Sequence, residues 1–129
     1  MTPTPKVKPT NSELEILRVL WDRGASTVGQ VHEVLAAKRD MGYTTVLKML
    51  QIMMEKGLVS RDDSRRQHIY TAAAGEQSVQ RQLMRDLLDK AFAGSAANLV
   101  MHALSAKKAT QQELQEIREI LDRLEGESK

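Results

Sequence analysis

The chain has 129 residues, 19 Lys/Arg against 17 Asp/Glu and no cysteine, which removes disulfides, thiolate metal sites and cysteine nucleophiles together. That length suits one domain, or a small domain with an appendage, and allows a real hydrophobic core. Trp21, Tyr43, Tyr70 and Phe92 are the whole aromatic complement, so the core must come from Leu, Val, Ile and Met, which predicts a mainly helical protein.

All three prolines fall within the first nine residues, with Lys6 and Lys8 among them, and residues 1–11 are expected to form a flexible basic arm. The arm has no apolar segment of the secretion-signal kind, and no run of about 20 apolar residues follows anywhere. No membrane insertion and a cytoplasmic location are therefore expected.

Ser12 and Glu15 have the spacing of a capping box, and Leu14, Leu17, Leu20 and Trp21 recur at helical period until Gly24, predicting a first helix over 12–23. Thr27 and Gln30 repeat the cap signature before Val28, Val31, Val34 and Leu35, predicting a second helix over 28–37. A third helix opens at Tyr43 or Thr44 and runs to Lys56, with Gly57 as its stop. The period then changes. Residues 58–61 and 68–71 read as short strands around the charged tip Asp62-Asp63-Ser64-Arg65-Arg66, the pattern of a hairpin.

From Glu76 the pattern is helical again, with Val79, Leu83, Leu87 and Ala91 at i, i+4 steps and a stop at Gly94. A shorter helix over 96–104 follows. Thr110 and Glu113 make a further capping box, after which Leu114, Ile117, Leu121 and Leu124 form a narrow apolar seam on a charged helix. Such a seam needs a partner. The organisation expected is an arm (1–11), a first unit (12–75) and a helical region (76–129).

On the third helix Thr44, Lys48, Gln51 and Glu55 share one stripe, while Val46, Leu50, Met53 and Met54 lie opposite. One face packs and the other is polar. Small hydroxyls, a lysine and an amide can all hydrogen-bond to base edges or phosphates, and the helix N-terminus adds free N–H groups. Three helices followed by a hairpin are the order of a winged helix-turn-helix, in which the third helix enters the major groove. Tyr43, Thr44, Thr45, Lys48 and Gln51 are thus candidate DNA-reading residues, and Arg61, Arg65 and Arg66 candidate phosphate contacts from the wing. Singly, each has an ordinary structural role; their combination on one helix-plus-wing unit points to double-stranded DNA. Residues 1–75 carry 11 basic against 8 acidic side chains, and residues 76–129 carry 8 against 9, so the basic excess lies on the same side.

The stretches LEILRVLW (14–21), TVGQVHEVL (27–35), GYTTVLKMLQIMMEKGLV (42–59) and HIYTA (68–72) together resemble the BlaI/MecI penicillinase-repressor family, which also includes CopY-type repressors. The resemblance spans about residues 12–124. It implies a homodimeric bacterial repressor whose N-terminal winged helix binds a palindromic operator and whose C-terminal helices form the dimer. It further implies release by a membrane-bound sensor metalloprotease that induces cleavage in the C-terminal region. Two departures bear on the trigger. Copper-responsive members use a C-terminal cysteine motif, absent here, and the Asn-Phe bond cleaved in β-lactam-responsive members is replaced by His102-Ala103 in NLVMHAL.

A single winged helix makes few phosphate contacts, whereas two copies facing successive major grooves, about 34 Å apart, multiply affinity on a two-fold symmetric site. The residues expected to bury against a second copy are Val79, Leu83, Leu87, Phe92, Leu99, Val100, Leu104, Leu114, Ile117, Leu121 and Leu124. The alternative is that these helices fold back on their own N-terminal unit.

Other chemistries fit the residues poorly. Met41, Met49, Met53 and Met54 stand at core spacing rather than as a thioether metal site, and His32, His68 and His102 are dispersed on three elements. Trp21 reads as a core anchor. Without a phosphate loop, HExxH or a desolvated carboxylate pair, no enzyme, metal or cofactor is expected. The main rival is a MarR-like ligand-responsive winged-helix regulator. The expected fold is mainly α with a small β-hairpin wing, a winged helix-turn-helix followed by a helical dimerisation region.

Overall fold

The computed structural model describes residues 7–127. Six helices and one hairpin follow in the order α1 (Asn11–Arg23), α2 (Val28–Ala36), α3 (Tyr43–Glu55), β1 (Val59–Asp62), β2 (Ile69–Ala72), α4 (Glu76–Ala91), α5 (Ala96–Ala106) and α6 (Gln111–Glu127). The chain divides into two compact units between Asp86 and Leu87, inside α4.

In the first unit α1 begins ahead of the Ser12–Glu15 pair. Its cap is Thr10, whose Oγ1 accepts from the Glu13 N–H at 3.2 Å while the Glu13 carboxylate accepts from the Thr10 N–H at 2.9 Å. Both pairs have capping-box spacing; the earlier frame wins by withdrawing Pro9 and Glu13 from solvent. The part of the expected arm that is described is therefore anchored, with Lys8 paired to Asp86 at 3.0 Å; residues 1–6 lie outside the described residues. The second helix has the expected box, Thr27 with Gln30.

The core draws Ile16, Leu17 and Leu20 from α1, Val31 and Leu35 from α2, Val46, Leu50 and Met53 from α3, and Leu58, Val59 and Tyr70 from the hairpin. Burying each large aliphatic side chain contributes about 1.5–3 kcal/mol. Met41 and Met53 are buried in this cluster, and Met49 and Met54 pack against it. Trp21 also packs there, donating its indole N–H to the Ala74 carbonyl at 2.9 Å. Val79, in the first turn of α4, is fully buried in the same core, and Leu83 packs on it, so the first half of α4 belongs with the winged unit and not beyond Gly75.

The strands pair antiparallel, Val59 opposite Ala72 through Asp62 opposite Ile69. Each begins one residue later than the sequence pattern suggests, because Leu58 is used to end α3: its N–H goes to Met53 O at 2.9 Å and that of Gly57 to Met54 O at 3.1 Å, a Schellman cap with Gly57 at φ +80°. Ser26 joins β2 as a single bridge, its N–H donating to Tyr70 O at 2.9 Å and Tyr70 N–H returning to Ser26 O at 2.8 Å. That bridge fixes the wing to the loop between α1 and α2.

The second unit holds the end of α4, α5 and α6. The α4 helix closes at Ala91 ahead of Gly94, with Ala93 and Gly94 at positive φ and the Gly94 N–H on Leu88 O at 2.9 Å. Ser95 caps α5 by accepting from the Asn98 N–H at 3.2 Å, and Thr110 and Glu113 cap α6 reciprocally at 3.0 and 3.1 Å. Neither α5 nor α6 has a buried residue.

Candidate nucleic-acid interface

The third helix carries its core residues Val46, Leu50 and Met53 on one side and leaves Tyr43, Thr44, Thr45, Lys48 and Gln51 exposed on the other. Its first intrahelical bond is Val46 N–H to Gly42 O, and no side chain caps it. The N–H groups of Tyr43, Thr44 and Thr45 thus point forward without an intrahelical acceptor, at the positive end of the helix dipole. Ile52, exposed beside Gln51, adds an apolar surface to this face that the polar stripe did not predict.

A partly buried ion pair holds the helix at its other end. The Glu13 carboxylate, in a residue 4% exposed, accepts from Lys56 Nζ at 2.8 and 3.0 Å, joining the start of α1 to the C-cap of α3. Burial alone would raise the Glu13 pKa, but the Lys56 ammonium and the Thr10 N–H outweigh it and hold the carboxyl below its ordinary range. Nothing in the spacing of two residues 43 apart could have announced this pair.

The wing places its arginines unequally. Arg61 is paired with Asp63, with Nε 2.6 Å from Oδ1 and Nη2 donating to Oδ2 at 3.2 Å. Asp62 accepts from Ser64, an interaction that with the nearby Arg65 keeps its carboxyl below the usual range. Arg65 and Arg66 are exposed, and among the described residues neither they nor Lys48 form an ion pair.

The fold brings Arg66 to the start of α3. A cleft of ≈ 350 Å³ is lined by Thr27, Gly29, Tyr43, Leu47, Arg66 and His68, together with their neighbours Val28 and Gln67. It gathers the beginning of α2, the beginning of α3 and the wing, three segments far apart in sequence. Tyr43, half exposed, also meets the His32 ring of α2 edge-on, with centroids 6.0 Å apart and planes at 77°. Sequence reasoning missed Thr27, His32, Gln67 and His68 here, because their relation to Tyr43 and Arg66 is purely tertiary.

Of the residues expected at a dimer interface, Val79 is fully buried within its own unit and Leu83 packs against that core. Leu87, Val100, Leu104, Leu121 and Leu124 are exposed, and Phe92, Leu99, Leu114 and Ile117 are half-buried. His102 and Ala103 are exposed on α5, where the His102 ring lies 5.5 Å from that of Phe92. Among the described residues no group of three His, Asp or Glu side chains could hold a metal ion, and no helix is long and apolar enough to cross a membrane.

Three helices, the third exposed on one face, and a two-stranded hairpin bridged to the loop between the first two define a winged helix-turn-helix protein. The penicillinase repressor family profile matches residues 9–123, and the chain belongs to that family, the BlaI/MecI group. It is 38% identical over 92 residues to the transcriptional regulator BlaI of Mycobacterium tuberculosis, covering 70% of this chain and 67% of the relative. Its identity to the methicillin resistance regulatory protein MecI of Mammaliicoccus sciuri is 19% over 114 residues, 88% of this chain and 93% of the relative. The solved structure of monomeric Bacillus licheniformis BlaI in complex with the blaP half-operator superposes with a TM-score of 0.50 at 23% identity, over 60% of this chain and 93% of that one, and shares the fold.

Proposed function

We propose that the chain is a transcriptional repressor that binds a palindromic operator as a homodimer. The observation that carries this reading is the exposed face of α3, Tyr43 to Gln51, whose leading residue Tyr43 shares a cleft with the exposed wing cation Arg66. Thr44, Thr45 and Gln51 are of a size and chemistry to meet base edges, Lys48 and the wing arginines to meet phosphates. The related BlaI of Bacillus licheniformis, solved as a monomer on the blaP half-operator, supports one winged unit per half-site.

The dimer reading is supported by the second unit. Its helices α5 and α6 have no buried residue yet carry Leu99, Val100, Leu104, Leu114, Ile117, Leu121 and Leu124, apolar surface that a second copy would cover. With residues up to Asp86 as the reading unit and the rest as the dimer-forming unit, release follows from losing the dimer. Cleavage near His102-Ala103 by a protease answering to a membrane-bound sensor would detach α6 without touching α3.

Binding to the protein's own upstream region, followed by fluorescence anisotropy at several salt concentrations, tests the assignment. Alanine at Thr44, Thr45 or Gln51 is expected to relax sequence preference, with each base interaction removed costing about 1–3 kcal/mol. Alanine at Arg65 or Arg66 is expected to weaken binding to every sequence and to reduce the salt slope by about 0.9 for each phosphate no longer neutralised. Wing variants that alter specificity while helix variants do not would reverse the roles of the two elements.

A further inference from the structure

We propose that His32 is a positioning residue for DNA recognition, acting through Tyr43. The inference rests on the operator-binding reading and adds to it a residue on α2 outside the reading helix.

The start of α3 lacks the lock that other helices of the chain possess. Reciprocal boxes hold α1 at Thr10 and Glu13, α2 at Thr27 and Gln30, and α6 at Thr110 and Glu113, whereas α3 begins at Gly42 with no side-chain cap. Its first residue, Tyr43, is half exposed and lies on the wall of the cleft that also contains Arg66 and His68. An exposed tyrosine with no further restraint would sample several rotamers and make the cleft's shape indefinite. The neighbouring His32 ring supplies a restraint, standing edge-on at 6.0 Å and 77°, the arrangement favoured by the charge distribution of aromatic rings.

His32 itself is committed to little else. Its ring is partly exposed, and among the described residues that ring forms no hydrogen bond or ion pair. It sits on α2, the helix whose N-terminus forms another wall of the same cleft. Fixing Tyr43 against α2 therefore fixes the leading edge of α3 relative to the two other walls of the cleft, and the entropy of ordering that ring is lost on folding instead of on binding. Removing the His32 ring should weaken specific binding about three- to tenfold, the range of an aromatic pair's coupling.

The test is a double-mutant cycle on the full chain, using anisotropy with the own upstream region and with an unrelated duplex of equal length. The variants are His32→Ala, His32→Phe, Tyr43→Ala and His32→Ala with Tyr43→Ala, each checked for an unchanged thermal melt. His32→Ala is expected to lower the specific-to-nonspecific ratio about three- to tenfold, His32→Phe to restore most of it, and His32→Ala to have no further effect once Tyr43 is alanine. Additive losses in the double variant, or a His32→Ala protein with wild-type discrimination, would overturn the proposal while leaving operator binding intact. Should His32→Ala melt lower, the Tyr43→Ala background and the His32→Phe rescue decide it instead. Failure of the wild-type chain to discriminate the two duplexes at all would instead reject the operator reading.

Discussion

Glu13 shows how one side chain couples a local cap to the placement of α3. It completes the cap of α1 and neutralises Lys56 at the end of α3, and its pKa is lowered in the folded state. A carboxyl with a depressed folded pKa contributes stability that is fully present above its unfolded pKa and is lost as pH falls through the folded value. Glu13→Gln is therefore expected to cost about 1–3 kcal/mol near neutrality, and the gap to wild type should narrow in acid, as urea unfolding at a series of pH values would show. At the wing, Asp63 holds Arg61 in an ion pair, and under the operator proposal a phosphate would have to displace that carboxylate. Asp63→Asn should free that guanidinium, strengthen binding to any duplex and steepen the salt dependence by about 0.9 per phosphate gained. An unchanged slope would mean that Arg61 faces no phosphate. The exposed threonines and Lys48 could be placed from helical period alone, but the occupation of Arg61 by Asp63 could not, because it depends on rotamers at a turn.

Elements were legible where their signals are local. The boxes at Thr27 and Thr110 stand where the sequence places them, and the stop after α3 falls at Gly57. At the start of α1 two overlapping pairs satisfied the same spacing, and only tertiary burial of Glu13 and Pro9 decides between them. The hairpin shifts by one residue because the C-cap of α3 consumes the Leu58 N–H. Gly57 has open space around the position of a Cβ, so the cost of Gly57→Ala is that of its backbone conformation alone. The substitution is expected to lower stability by about 1–2 kcal/mol, measured from the urea midpoint with an unchanged slope. A neutral result would remove the role assigned to this cap.

At the scale of the molecule, the apolar series Val79, Leu83, Leu87 and Ala91 reads as one continuous stripe, yet its first two members belong to the winged unit and Leu87 is half exposed. Periodicity reports which face of a helix is apolar, not which body covers it. That is why the boundary lies at Asp86 rather than Gly75, and why Val79 is accounted for within one chain. What remains exposed on α5 and α6 is the surface on which the dimer proposal stands. The most direct measurement compares the affinity and stoichiometry of the full chain, and of a chain ending at Met101, on a complete palindromic operator and on a single half-site. The account predicts two full-length chains per operator, bound orders of magnitude more tightly than to the half-site, and a truncated chain that stays folded but loses that advantage. One chain per duplex, with equal affinity for whole and half sites and no effect of truncation, would contradict it.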